Sequence, residues 1–123
     1  MVSLQVYKLV HMFGLFLLFT SVGGIALHAA NGGTRDSNTA RGLAFGTHGI
    51  GLLLVFVSGF GMLARLGMTA GVPGWAVAKL VIWLAIGGLV MLPQRAPGTA
   101  KAVWFGAPVL AAVAVWLAIT KPF

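Results

Sequence analysis

The apolar residues of the chain form four long runs, at about 6–30, 42–66, 75–92 and 102–120, with short polar segments between them. Each run has about the 20 residues that an α-helix needs to cross a hydrocarbon layer roughly 30 Å thick. Gly67, Pro93 and Pro122 are expected to close the second, third and fourth helices, because proline lacks an N–H and glycine favours non-helical backbone. The pattern predicts an all-α integral membrane four-helix bundle that forms a single domain, 1–123.

The segments between the runs are short, at 31–41, 68–74 and 94–101. Short connections make consecutive helices antiparallel neighbours, so we expect an up-down-up-down bundle with both termini on one face of the membrane. The first run is long for a signal peptide, and we expect it to remain as the first helix. No internal repeat with a period of about 20–50 residues is evident.

The composition agrees with a lipid environment. Hydrophobic residues make up 59% of the chain and charged residues 7%, with a mean hydropathy of +1.02, whereas soluble proteins carry about 25% charged residues. The net charge is +7, and the basic residues lie mainly between the runs, where lipid headgroups would be. We therefore interpret them as anchors to the lipid bilayer and predict no nucleic-acid partner.

The lack of cysteine, and the lack of acidic residues in the four runs, limit the kinds of metal and catalytic site that the chain can form. The chain has no cysteine, which excludes disulfides, thiolate metal sites and iron–sulfur clusters. Its one acidic residue, Asp36, falls in the first connection, so no span carries a carboxylate for proton antiport or for a dicarboxylate metal site. Ionisable side chains are costly in lipid, and those deepest in the runs are the candidate functional residues: His11, His28, His48 and Lys79.

His28 and His48 are the first candidate pair. A hairpin that turns at about residues 37–38 brings to equal depth those residues whose numbers sum to about 75, and these two sum to 76. Two neutral imidazoles on facing helices can ligate a haem iron as a low-spin electron-transfer site. The sequence therefore predicts haem b held between His28 and His48. The alternative is that each is an interfacial histidine bonded to a backbone carbonyl or to headgroups.

Small residues accompany this pair. On an ideal helix Gly24 lies near the direction of His28, and Gly51 lies near the direction of His48. We expect these two glycines to let the edge of the haem macrocycle approach the backbone. Membrane helices are also rich in glycine because it allows close helix packing, which is the alternative explanation.

His11 and Lys79 are the second candidate pair. Each lies about one turn inside its helix on the side of the termini, so the two can share a depth. The segments Tyr7–Gly14 (YKLVHMFG) and Trp75–Trp83 (WAVAKLVIW) resemble small four-helix haem-associated membrane proteins, the group that includes the protoporphyrinogen oxidase of many bacteria and the copper-resistance-D-like proteins. The resemblance implies that His11 is a haem ligand, that Lys79 is its functional partner and that the protein lies in a bacterial inner membrane. Alternatively, Lys79 snorkels to the headgroups.

Three functions follow as hypotheses. The first is a haem-b-binding membrane protein in electron transfer or haem handling, with His28 and His48 as the preferred iron ligands and His11 as the alternative. The second is a small non-catalytic subunit or assembly factor, whose glycine-rich faces would dock other membrane subunits or a second copy of the chain. The third is a small dual-orientation transporter or channel, which the nearly even distribution of basic residues between the two sides would permit.

Overall fold

Residues 3–123, the part of the chain that the computed structural model describes, form helices joined by short connections and contain no strand. The helices are α1 (Leu4–Ala30), α2 (Arg41–Arg65), α3 (Gly74–Leu89), α4 (Met91–Arg95) and α5 (Ala100–Thr120), with a 3-10 turn at Pro97–Thr99 before α5. Four stretches are long and apolar enough to cross a membrane: Leu4–Ala30, Arg41–Arg65, Gly74–Arg95 and Pro97–Thr120. The prediction of an all-α integral membrane four-helix bundle is confirmed.

Glycine ends the first two helices. Gly32 follows α1 with a φ of +84°, and Gly67 follows α2 with a φ of +72°. This left-handed backbone is one that glycine adopts without the steric penalty of a Cβ. The chain then folds back on the last turn, so that the N–H of Gly33 donates to the carbonyl of His28 at 2.9 Å. Both helices therefore stop where the sequence places a glycine.

The third span is broken between α3 and α4. The expectation that Pro93 closes this helix is wrong, because Pro93 lies inside α4 and the interruption falls at Val90. A proline ring collides with the carbonyl four residues before it, which here belongs to Leu89, the last residue of α3. The break consequently lies one turn ahead of the proline. Carbonyls in the last turn of α3, including that of Gly87, have no partner within α3.

Consecutive helices of the bundle run in opposite directions. Tyr7, near the start of α1, lies against Gly61, near the end of α2. The carbonyl of Phe123, just beyond α5, accepts a hydrogen bond from the N–H of Trp75 at the start of α3, with an N–O distance of 3.3 Å. α1 packs against α2 and α5, and α5 also packs against α3. The order of the helices around the bundle is therefore that of the chain, up-down-up-down.

The core extends along the whole bundle in three clusters of buried side chains. One cluster lies towards the first connection, one in the middle and one at the end that holds the termini. Their members are Val22, Ile25, Ala26, Val90, Val103 and Ala107; Leu18, Val55 and Ile86; and Leu63, Trp75, Ala76 and Leu117, respectively.

The tightest helix contact joins the backbones of α1 and α2 at Gly14 and Gly51. A Cβ on Gly14 would lie 3.1 Å from the carbonyl oxygen of Gly51, and a Cβ on Gly51 would lie 2.9 Å from the carbonyl oxygen of Gly14. A side chain at either position would push the helices apart. The structure thus places Gly51 in helix packing, while Gly24 is exposed with no atom within 4 Å of its Cβ position.

Candidate functional site

His48 joins three helices in the interior of the bundle. It lies on α2 and is 4% exposed. Its Nε2 is 3.2 Å from the carbonyl oxygen of Gly87 on α3, and its Nδ1 is 3.4 Å from the Oγ of Ser21 on α1. A carbonyl only accepts hydrogen bonds, so the nitrogen that faces it must carry the proton. The neutral imidazole of His48 therefore donates from Nε2 and keeps the lone pair on Nδ1.

The hydrogen bond from His48 to the carbonyl of Gly87 stabilises the third span near its interruption. Gly87 lies in the last turn of α3, ahead of the interruption that Pro93 imposes. Backbone groups freed by a helix break in lipid must find donors or acceptors on neighbouring helices. In the same interface the Nε1–H of Trp83 on α3 donates to the carbonyl of Leu52 on α2, with an N–O distance of 3.0 Å. Two side-chain-to-backbone hydrogen bonds thus hold α3 against α2.

His28 organises the first connection. Its Nε2 is 2.9 Å from the carbonyl oxygen of Thr34 and 3.2 Å from the Oγ of Ser37. Gly33 leaves room for the ring, because a Cβ at that position would overlap the imidazole. These contacts correspond to the alternative given for His28 from the sequence, a histidine bonded to a backbone carbonyl near the end of its span.

His28 and His48 are not brought together at one depth, and that prediction is wrong. His48 contacts Ser21, which precedes His28 by seven residues, or about 10 Å along the axis of α1. The hairpin turns closer to α1 than the sequence pattern indicated, since α1 ends at Ala30 and α2 begins at Arg41. Contacts across the hairpin join residues whose numbers sum to less than 75, to 69 for Ser21 with His48 and to 65 for Gly14 with Gly51. Haem ligation by both imidazoles is not supported by this arrangement.

His11 lies between α1 and α2 near the end of the bundle that holds the termini. Its Nδ1 is 2.9 Å from the Oγ of Ser58 on α2, a side chain that is 1% exposed. The hydroxyl of Ser58 donates to its own helix, at the carbonyls of Leu54 and Val55. Because its one proton is used there, Ser58 accepts from His11, and Nδ1 carries the imidazole proton. The Nε2 of His11 keeps its lone pair.

Lys79 lies on α3 at the same end of the bundle as His11. Its ammonium group is close enough for the charge to act on the His11 ring. Lys79 has no anionic partner within residues 3–123, because the sole acid, Asp36, lies in the first connection, 3.5 Å from Arg41. The structure thus brings together the second candidate pair, His11 and Lys79.

The clearest cavities lie away from His11. One of about 10 Å³, the size of a single water, borders His28 and Gln94, whose Oε1 is buried without a partner. A groove of about 220 Å³ opens between α1 and α5 beside Trp104. Neither borders His11 or Lys79, so a ligand as large as a porphyrin would approach the half-buried His11 from the surface of the bundle. In the described part of the chain, no three His, Asp or Glu side chains converge.

The sequence analysis did not assign roles to Ser58 or to the carbonyl of Gly87. The 47 residues that separate Ser58 from His11 along the chain hide their contact. Every residue has a backbone carbonyl, so the residue type at position 87 does not indicate that His48 contacts it. The available signal for Gly87 is Pro93, which frees carbonyls in the preceding turns.

Comparison of the chain with protein-family models, with curated proteins and with solved structures finds no match. The geometry of the polar side chains within the bundle is therefore the basis for proposing a function.

Proposed function

We propose that this protein binds haem b in a bacterial inner membrane, where Nε2 of His11 would ligate the iron, and acts in electron transfer or haem handling. The observation that carries the proposal is the hydrogen bond from His11 Nδ1 to Ser58. Histidines that ligate metals usually donate their other N–H to a neighbouring acceptor, which fixes the tautomer and the orientation of the ring. His11 has this arrangement, whereas Nε2 of His48 is occupied by the carbonyl of Gly87.

The side chains around His11 fit this group in their donors and in their charge. A neutral imidazole is an established ligand for haem iron, and with no cysteine in the chain the haem would be held without thioether bonds. Lys79 supplies an uncompensated positive charge next to His11, which suits a haem propionate. When bound, haem would supply one-electron redox chemistry, and His11 and Lys79 would hold and orient it.

The absorption spectrum of the purified protein tests this proposal. The protein is expressed with ample haem, and variants are compared at equal amounts of folded protein. The Soret band is expected to disappear in His11→Ala and to remain in His28→Ala and His48→Ala. His11→Gly with added imidazole is expected to regain the band, because free imidazole can replace the missing side chain. That recovery separates a lost ligand from a lost fold.

Two outcomes would contradict the proposal. If His28→Ala removes the band and His11→Ala does not, the ligand is wrongly assigned. A colourless wild-type protein would refute haem binding altogether, and the role of small subunit or assembly factor would then take its place.

A further inference from the structure

α1 and α2 share a short sequence pattern. Residues 11–21 read HMFGLFLLFTS and residues 48–58 read HGIGLLLVFVS. Six of the eleven positions are identical, and they include the histidine, the glycine three residues after it and the terminal serine. The offset is 37 residues, so the expectation of no repeat at about 20–50 residues is wrong. The match is short, and the remaining identical positions hold leucine or phenylalanine, which are common in membrane helices. The sequence alone therefore gives only a weak indication of this repeat.

The structure pairs the two segments about an approximate two-fold axis. If an offset of 37 residues relates α1 to α2, a contact of His11 with Ser58 requires a contact of His48 with Ser21, and both are present. Each serine also donates to the carbonyl three residues before it on its own helix, at 2.8 Å for Ser21 and 3.2 Å for Ser58. The same His–Ser unit therefore occurs twice, once towards each side of the membrane.

The shared glycine of the pattern lies on this axis. Gly14 and Gly51 face each other, and each would place a Cβ against the other's carbonyl oxygen. The flanking contacts also correspond: a Cβ on Gly14 would meet Val55 at 2.9 Å, and a Cβ on Gly51 would meet Leu18 at 3.0 Å. The symmetry thus holds over at least four contacts that are distant in sequence.

We propose that α1 and α2 carry two copies of one His–Ser site and that the two copies have different roles. In one copy, Ser58 orients His11 so that Nε2 is available to a ligand. In the other copy, His48 donates a hydrogen bond to the carbonyl of Gly87 and so stabilises the interrupted third span. The part that concerns His11 as a ligand rests on the proposed function. The division arises from α3, which passes both copies of the site. α3 presents the carbonyl of Gly87 to His48, whereas near His11 it carries Lys79, whose charge acts on the ring.

The tautomers of the two histidines follow from these different neighbours. Gly87 requires a proton on Nε2 of His48, so Nδ1 of His48 has only a lone pair. The hydroxyl of Ser21 directs its one proton to the carbonyl of Leu18 at 2.8 Å, and its contact with Nδ1 of His48 is accordingly the longer of the two His–Ser contacts, at 3.4 Å. At His11, Ser58 accepts the Nδ1 proton at 2.9 Å, and the carbonyl of Val55 on α2, which also accepts from Ser58, lies near the ring. Ser58 is a positioning residue, since it acts on a ligand through His11.

Nitrogen-15 NMR of the histidine-labelled protein, purified in detergent without added haem, tests the inference. Nitrogen shifts are recorded at a pH of about 8.5, where ordinary imidazoles are neutral. His11 is expected in the Nδ1–H form and His48 in the Nε2–H form. Ser58→Ala should shift His11 towards the Nε2–H form by about threefold or more in the tautomer ratio, as expected for loss of a typical hydrogen bond within a membrane protein. The matched variant Ser21→Ala should leave His48 in the Nε2–H form.

The same tautomer in both wild-type histidines, or a His11 ratio that Ser58→Ala leaves unchanged, would overturn the division of roles. Conversion of His48 by Ser21→Ala would do so as well. Because the measurement needs no haem, it fails independently of the proposed function. A colourless protein with the expected tautomers would refute haem binding alone, and a haem protein with the wrong tautomers would refute the role of Ser58 alone.

Discussion

The half-buried His11 and the buried His48 both lie between α1 and α2, and each faces a serine of the other helix, but the two imidazoles differ in their further contacts. His11 donates to Ser58 and His48 contacts Ser21, at corresponding positions of the two helices. His48 also bonds to the carbonyl of Gly87, whereas Lys79 is the α3 neighbour of His11. His48 is therefore a link between three helices, whereas His11 is tied to two helices and keeps a lone pair on Nε2.

This difference indicates that burial and a nearby serine do not by themselves identify a ligand histidine. The deciding feature is which ring nitrogen must carry the proton, because only the other nitrogen can bind a metal or accept a hydrogen bond. A backbone carbonyl left open by a helix break fixes that choice at His48. The four predictions below alter either the contact that the two sites share or the neighbours that distinguish them.

The largest loss of stability is expected from Gly51→Ala, which acts on the axis between the two sites. The new Cβ would lie 2.9 Å from the carbonyl oxygen of Gly14 and separate the helices. We expect the free energy of unfolding to fall by up to about 3 kcal/mol, a typical cost of overpacking, as measured by thermal or denaturant unfolding in detergent. Gly49→Ala is the control, since nothing lies within 4 Å of its Cβ position. Equal effects of the two substitutions would show that the helices do not cross at Gly51.

His48→Ala should cost more stability than His11→Ala. Without His48 the carbonyl of Gly87 loses a donor in a buried position, which costs about 1–3 kcal/mol. Without His11 the hydroxyl of Ser58 still bonds to its own helix, so the expected cost is below about 1 kcal/mol. Unfolding measured on the haem-free protein checks the order. If His11→Ala is the more destabilising variant, the assignment of the structural role to His48 is wrong.

Substitutions of Lys79 distinguish a contact of its ammonium group with a ligand from simple anchoring to lipid headgroups. If its ammonium group pairs with a haem propionate, both Lys79→Leu and Lys79→Arg should weaken haem binding about tenfold, because a charge-assisted hydrogen bond depends on the shape of the cation. The measurement is haem titration of the purified variants. Retention of full affinity in Lys79→Arg, with loss in Lys79→Leu, would instead indicate that the side chain snorkels.

The smallest effect is expected from Trp83→Phe, which removes only the second bond between α2 and α3. The indole N–H that donates to the carbonyl of Leu52 is lost, while most of the aromatic volume remains. Hydrogen bonds between membrane helices contribute about 0.6 kcal/mol on average, and the loss of stability should be of that order. A loss as large as that of His48→Ala would mean that the two bonds to α3 carry similar weight.

The sequence alone determined that the chain lies in a lipid bilayer and where its long helices form. Four runs of sufficient length specify the spans, because backbone groups in lipid must be satisfied within helices. The positions of Gly32 and Gly67 determined where α1 and α2 end, since these residues adopt positive φ without strain. The sequence also identified His11 and Lys79 as residues that could share a depth, because both lie the same short distance inside spans that start on one side.

Only the tertiary structure decided which histidine meets which partner. The register between α1 and α2 depends on the Gly14–Gly51 crossing and on the exact extent of the first connection, and a small error in the turn moved the expected partner of His48 to His28. The proton positions depend further on α3, whose carbonyl at Gly87 comes from a backbone break. These features are set by contacts between distant segments, and no local pattern encodes them.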